Sequence, residues 1–120
     1  MKKILIIDDD PNSQEIYTDL LTSEGYEVIK EITVQKGIIT AKSRYPDLII
    51  LDIMLPGGLN WFDALEQFKK DVNLAKIPVL ILTNLDTEEK VALNIGASAY
   101  LVKANISIDK TLAKIKELLE

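Results

Sequence analysis

Cysteine and histidine are both missing from the 120 residues. Without cysteine there is no disulfide, no thiolate zinc site and no thiol nucleophile, and a reducing cytoplasm is the expected location. Without histidine there is no imidazole metal ligand, no Ser-His-Asp triad and no histidine phosphocarrier in this chain. Glycine and proline are sparse, five and four residues, which excludes fibrous and low-complexity classes. The uninterrupted apolar runs are about four residues long, against roughly 18 for a membrane-spanning helix. Asp8, Asp9 and Asp10 follow Met1-Lys2-Lys3 too closely for a signal peptide. Basic residues are outnumbered 14 to 19, so direct nucleic-acid binding, which needs a basic stripe, is not expected. A single cytosolic domain over residues 1–120, without membrane insertion, is the expectation.

Four apolar runs stand out: Ile4–Ile7, Leu48–Leu51, Val79–Leu82 and Tyr100–Val102. They lack polar alternation, as strands buried on both faces of a parallel sheet do. Tyr26–Ile29, interrupted by Glu27, reads as a fifth strand at an edge. Stretches with helical spacing lie between. Asp10-Pro11 reads as an N-cap and first helical residue, followed by an apolar stripe of Ile16, Tyr17, Leu20 and Leu21 and a stop at Gly25. Thr33 caps a second helix reaching about Arg44, before Pro46. Asn60 with Asp63 starts a third, with Phe62, Leu65 and Phe68 inward. Asp86 with Glu89 resembles a capping box for a short fourth, ended by Gly96. Ser107 caps the last, whose stripe is Ile108, Leu112, Ile115 and Leu119. Five β-α units in succession predict a three-layer α/β sandwich around a parallel sheet.

Each run ends on a chemically pointed residue. Asp8 and Asp9 follow Ile7, Asp52 follows Leu51, Thr83 follows Leu82 and Lys103 follows Val102. In a parallel sheet all of these fall at the carboxyl edge, where open α/β sheets bind ligands. Clustered carboxylates repel unless a cation joins them. Lys103 supplies one charge, and a hard divalent ion with oxygen ligands, Mg²⁺, supplies the rest in a chain without His or Cys. Such a site suits phosphoryl transfer to a carboxylate, with metal and ammonium neutralising the phosphoryl oxygens. Asp52, alone at its strand end, is the best nucleophile, and the adjacent Asp8 and Asp9 are better placed as metal ligands.

These segments resemble the receiver domains of two-component response regulators, the CheY-like group, over essentially the whole chain. The resemblance is carried by Ile4–Pro11, Pro46–Gly57, Pro78–Thr83 and Gly96–Lys103, in that order and at the expected separations. It implies a flavodoxin-like (βα)5 sheet of order 2-1-3-4-5. It also implies that Asp52 is the phosphoacceptor and that Asp9 is a direct Mg²⁺ ligand, with Asp8 acting through water. Met54 would supply a backbone carbonyl to the metal. Thr83 would be the hydroxyl that moves to the phosphoryl group, Lys103 the ammonium that pairs with it, and Tyr100 the aromatic residue that turns inward. The implied partners are a histidine kinase or histidine phosphotransfer protein and a downstream effector protein, met on the surface of the fourth helix, fifth strand and fifth helix. The implied state is a monomer or weak dimer. The protein would be an acceptor with at most slow autodephosphorylation, not a turnover enzyme.

Three departures qualify the resemblance. Ala104 stands where the family has proline after the lysine, and a trans Lys103-Ala104 bond is expected, because a cis bond before a non-proline residue costs about 3 kcal/mol. The segment 57–62 is one residue longer than usual, and Trp61 in it either shields the site or packs on the first turn of the third helix. Asn84 is bulkier than the usual residue after Thr83, narrowing access, and neither Met54 nor Leu85 can orient an attacking water, so slow acyl-phosphate hydrolysis is expected. A phosphorylation-independent interaction module on the same fold is the alternative. A Mg²⁺-dependent phosphohydrolase is disfavoured by Met54, which stands where that class has a second aspartate.

Overall fold

The computed structural model describes residues 1–53 and 61–120. Its elements run β1 (Lys3–Ile7), α1 (Pro11–Ser23), β2 (Glu27–Glu31), α2 (Val34–Arg44), β3 (Leu48–Leu51), α3 (Trp61–Lys70), β4 (Val79–Thr83), α4 (Glu89–Ile95), β5 (Ala99–Val102), a single 3-10 turn (Lys103–Asn105) and α5 (Ile108–Leu119). The five strands are parallel in the order β2-β1-β3-β4-β5, the flavodoxin-like arrangement. Beyond β1 the order turns back on itself, so the point where it reverses lies between β1 and β3.

The unbroken apolar strands divide their side chains between two cores, because alternate residues face opposite sides of a sheet. Leu5, Ile7, Ile49, Leu51, Val79 and Ile81 pack with Ile38 of α2, Leu65 and Phe68 of α3 and Ala92 of α4. Ile4, Ile6, Leu48, Ile50, Leu80 and Leu82 pack with Tyr17 and Leu21 of α1 and Ile115 and Leu119 of α5. Three layers result, and the edge strand β2 is only half-buried.

Helix starts follow the expected side-chain chemistry at three places. Asp10 accepts from the Asn12 N–H with Pro11 in the first turn. Thr33 accepts from the Lys36 N–H, and Ser107 from the Lys110 N–H. Three expectations are corrected. The fourth helix begins after Glu88, which makes no side-chain cap bond, so Asp86 and Glu89 form no capping box. Ile16 is 52% exposed and outside the α1 stripe; the buried face is Ser13, Gln14, Tyr17 and Leu21. Ile108 is likewise exposed on α5, and the buried face there is Thr111, Ile115 and Leu119. α2 closes on Tyr45 in the left-handed conformation (φ 46°), ahead of Pro46. The expected helix start at Asn60 lies outside the described residues.

Gly37, in the middle of α2, has a packing reason. A Cβ there would stand 2.4 Å from Ile7 Cδ1, so the Ile7 side chain fills the space that any other residue's Cβ would need. Ile7 is the residue before Asp8, so this contact lies beside the end of the strand that carries the acidic residues.

Candidate functional site at the carboxyl edge of the sheet

The registers Ile7–Leu51, Leu51–Ile81 and Thr83–Val102 bring the ends of β1, β3, β4 and β5 to one edge. Backbone bonds continue the ladder past the strand ends: the Asp52 N–H donates to the Ile7 carbonyl (3.0 Å) and the Asp8 N–H to the Glu31 carbonyl (3.1 Å). Asp8 and Asp52 are therefore held on the sheet itself, and both are buried, 3% and 7% exposed.

Lys103 stands between them. Its Nζ donates to Asp8 Oδ2 (2.8 Å), Ser13 Oγ (2.8 Å) and Asp52 Oδ2 (3.0 Å). Three ammonium protons meet three acceptors. Thr83, fully buried at the end of β4, donates from Oγ1 to the other Asp52 oxygen, Oδ1, at 2.6 Å. Burial is the largest single influence on Lys103 and disfavours its charge. The hydrogen bonds and charges of Asp8 and Asp52 together outweigh it, and the ammonium's pKa stands above its ordinary value. Two carboxylates and one ammonium leave these three groups with a net charge of −1.

A second tier holds the loop after β1. Gln14 Nε2 donates to the carbonyls of Asp8 (2.8 Å) and Glu31 (3.0 Å), tying the ends of β1 and β2 to α1. The Asp10 N–H donates to Asp8 Oδ1 at 3.0 Å. Tyr17, one helical turn beyond Ser13, is buried close enough to feel Lys103, Asp8 and Asp52. Burial is the main cause that pushes its phenol pKa up.

Tyr100 lies inward, its ring in the core under α3 and α4 and its hydroxyl donating to the Leu85 carbonyl. The Lys103-Ala104 peptide is trans, there being no cis bond among the described residues. The Ala104 N–H, which a proline would lack, donates to Asn84 Oδ1 at 3.0 Å. Asn84 thus joins the loop after β4 to the loop after β5. Trp61 packs on the core at the start of α3, its ring centroid 4.0 Å from that of Phe62, which is half-buried rather than inward.

Of the residues singled out from sequence, Asp8, Asp52, Thr83 and Lys103 meet at one point. Asp9 is exposed beside them, and among the described residues no group of three or more acidic side chains stands close enough to hold a metal. Met54 lies outside the described residues. The donor set is nonetheless all oxygen, carries net negative charge and fits a hard cation better than a soft one. The sequence motifs do not mark Ser13 and Gln14 as site residues, and Tyr17 reads only as part of the apolar stripe of α1. The available signal was a serine and a glutamine on the inward face of α1, on or beside the 13-17-21 stripe, where a core helix otherwise carries apolar residues.

A model of the response regulator receiver domain matches residues 4–116. The chain belongs to that family. It is 39% identical to the protein PilH of Pseudomonas aeruginosa over 105 residues, 86% of each chain. It is 40% identical to the response regulator ArlR of Staphylococcus aureus over 99% of this chain, but spans only 53% of ArlR. In three dimensions it is similar to the response regulator TrrA of Thermotoga maritima solved with Mg²⁺ and BeF, with a TM-score of 0.88, 29% identity, and 99% and 100% of the two chains covered. The chain is thus a receiver domain of two-component signalling, with the fold and the phosphoacceptor role of that family, and Mg²⁺ binding occurs in the family. No helix among the described residues is long and apolar enough to cross a membrane.

Proposed function

We propose that Asp52 is the phosphoacceptor of this receiver domain and that Thr83 and Lys103 hold the incoming phosphoryl group. The observation that carries this reading is the placement of Lys103 Nζ and Thr83 Oγ1 on opposite oxygens of the buried Asp52 carboxylate. An Asp52 oxygen attacks phosphorus and the donor's leaving group departs with its electron pair, which leaves an acyl phosphate. The developing charge on the phosphoryl oxygens is met by the Lys103 ammonium and the Thr83 hydroxyl, fixed donors in a site of low solvent access. Asp8, Asp9, Asp52 and the Met54 carbonyl are the residues that would hold Mg²⁺, which supplies charge neutralisation at the same oxygens.

The donor is a histidine kinase or histidine phosphotransfer protein, and the cytoplasm is the compartment that suits such an exchange. The output is read by a protein partner on α4, β5 and α5, where Val91, Leu93 and Ile108 are exposed apolar residues. Tyr100 links that face to the site: its hydroxyl is bonded to the Leu85 carbonyl, two residues after Thr83, so a shift of Thr83 is felt at the ring. Direct nucleic-acid binding by these residues is not part of the reading, given the acidic balance. Autodephosphorylation is slow, because Leu85 offers no side chain that orients water; a phosphoryl half-life of seconds after donor removal would refute this point.

The test is intact mass after incubation with Mg²⁺ and acetyl phosphate. One phosphoryl addition, absent in Asp52→Asn and in the presence of a chelator, is expected. No addition by a protein that is folded and binds Mg²⁺ would overturn the reading in favour of a phosphorylation-independent interaction module.

A further inference from the structure

We infer that Ser13 is a positioning residue for the site: its hydroxyl is the acceptor that keeps the Lys103 ammonium aimed at Asp52 while both carboxylates are engaged elsewhere. The inference rests on the assignment of Asp52 and Lys103 above. An ammonium has three protons, and here they are divided among Asp8 Oδ2, Asp52 Oδ2 and Ser13 Oγ at 2.8, 3.0 and 2.8 Å. Two of these acceptors have other demands on them. When Asp52 takes a phosphoryl group, one proton of Lys103 must turn from the carboxylate to a phosphoryl oxygen. Asp8, a carboxylate at the strand end, is the kind of group a hard cation draws toward itself, which weakens its hold on Lys103. The serine hydroxyl is neutral and gains nothing from a cation replacing the ammonium. It is the one acceptor of the three on which neither process makes a claim.

The setting of Ser13 supports a role beyond filling space. It lies on the first turn of α1, 7% exposed, on the same stripe as the apolar Tyr17 and Leu21. A hydroxyl in that position is disfavoured unless bonded, and its bond is made to a residue 90 positions away rather than to its own helix. α1 is itself anchored to the strand ends by Gln14 and its first turn is capped by Asp10, so the hydroxyl is presented from a fixed element. Without it, one ammonium proton would be left without a partner in a site where Lys103 is largely buried.

The experiment compares the 120-residue chain with Ser13→Ala and Ser13→Thr, each also in a Lys103→Met background. The rate of acetyl phosphate-driven mass addition at saturating Mg²⁺ is one readout. The second, independent of phosphorylation, is proton exchange of the Lys103 ammonium followed by lysine-selective ¹H–¹⁵N NMR without donor. Ser13→Ala is expected to slow phosphorylation about tenfold, the worth of one hydrogen bond to a charged group at the lower end. Ser13→Thr, which restores the hydroxyl, is expected to stay within about twofold of the parent. In the Lys103→Met background Ser13→Ala should change nothing further. The Lys103 ammonium signal should exchange visibly faster in Ser13→Ala than in the parent. Equal rates for Ser13→Ala and parent, an equal slowing in the Lys103→Met background, or unchanged ammonium exchange would each overturn the inference. If the parent itself takes no phosphoryl group, the Asp52 assignment fails, and the ammonium exchange still decides whether Ser13 holds Lys103.

Discussion

Replacing Ala104 by proline, the residue usual in the family, is expected to harm this protein. The Ala104 N–H donates to Asn84 Oδ1 at 3.0 Å, and proline has no N–H to give. Proline also disfavours helical backbone in the residue before it, and Lys103 opens a 3-10 turn. Ala104→Pro should therefore cost about 1–3 kcal/mol. Asn84→Ala removes only the bond, and both of its ends are exposed, so its cost should be about 0.5–1 kcal/mol. The informative quantity is the coupling. The double variant should be less destabilised than the sum of the singles by about 0.5–1 kcal/mol, because the bond can be lost only once. Ala104→Gly, which keeps the N–H, should leave the effect of Asn84→Ala intact. Urea unfolding of the four members, with midpoints compared at a common slope, measures this directly. Additivity within about 0.3 kcal/mol would refute the reasoning.

Further outcomes follow from other parts of the molecule. Gly37→Ala should destabilise by about 1–2 kcal/mol, because overpacking against Ile7 costs about 1–3 kcal/mol while the gain in helix propensity returns at most about 1; a raised thermal midpoint would contradict it. The raised pKa values of Lys103 and Tyr17 mean that the folded chain holds these protons more tightly than the unfolded chain. Their contribution is complete below about pH 10 and is lost as pH climbs through the folded values. Tyr17→Phe and Lys103→Met should each flatten the alkaline limb of a stability-pH curve. Mg²⁺ at about a hundred times its Kd should stabilise the protein by about 2.7 kcal/mol. Asp9→Asn should lose most of that gain in a thermal melt if Asp9 is the metal ligand the resemblance implies.

The strands and the edge they share were legible because both-face burial writes itself as an uninterrupted apolar run, and the residue after each run has a fixed position on the sheet. That alone is enough to bring Asp8, Asp52, Thr83 and Lys103 to one edge. Helix faces were less legible. Ile16 and Ile108 are apolar and exposed, since hydrophobicity fixes a preference and the geometry of neighbouring caps fixes the phase. The acidic run Asp86–Glu89 offered several possible starts for α4, and Glu88 takes the position without making a side-chain bond. A buried polar group is harder still. Ser13 breaks the apolar stripe of α1 and looks like an ordinary helical serine until its partner, 90 residues on, is placed beside it.

The departures from the family pattern show why pairs carry more than single positions. Taken alone, Ala104 is a missing proline and Asn84 an oversized neighbour of Thr83, and each reads as a defect in the site. In space they are one feature, since the N–H that alanine restores is the donor that the amide oxygen of Asn84 accepts. The bond joins the residues that directly follow Thr83 and Lys103, the two groups that bracket Asp52 from opposite oxygens. A link between those loops makes the displacement of one costly without the other. Thr83 and Lys103 are then expected to respond to a phosphoryl group as a unit, and restoring the family's proline, which removes the donor whatever stands at position 84, would separate them.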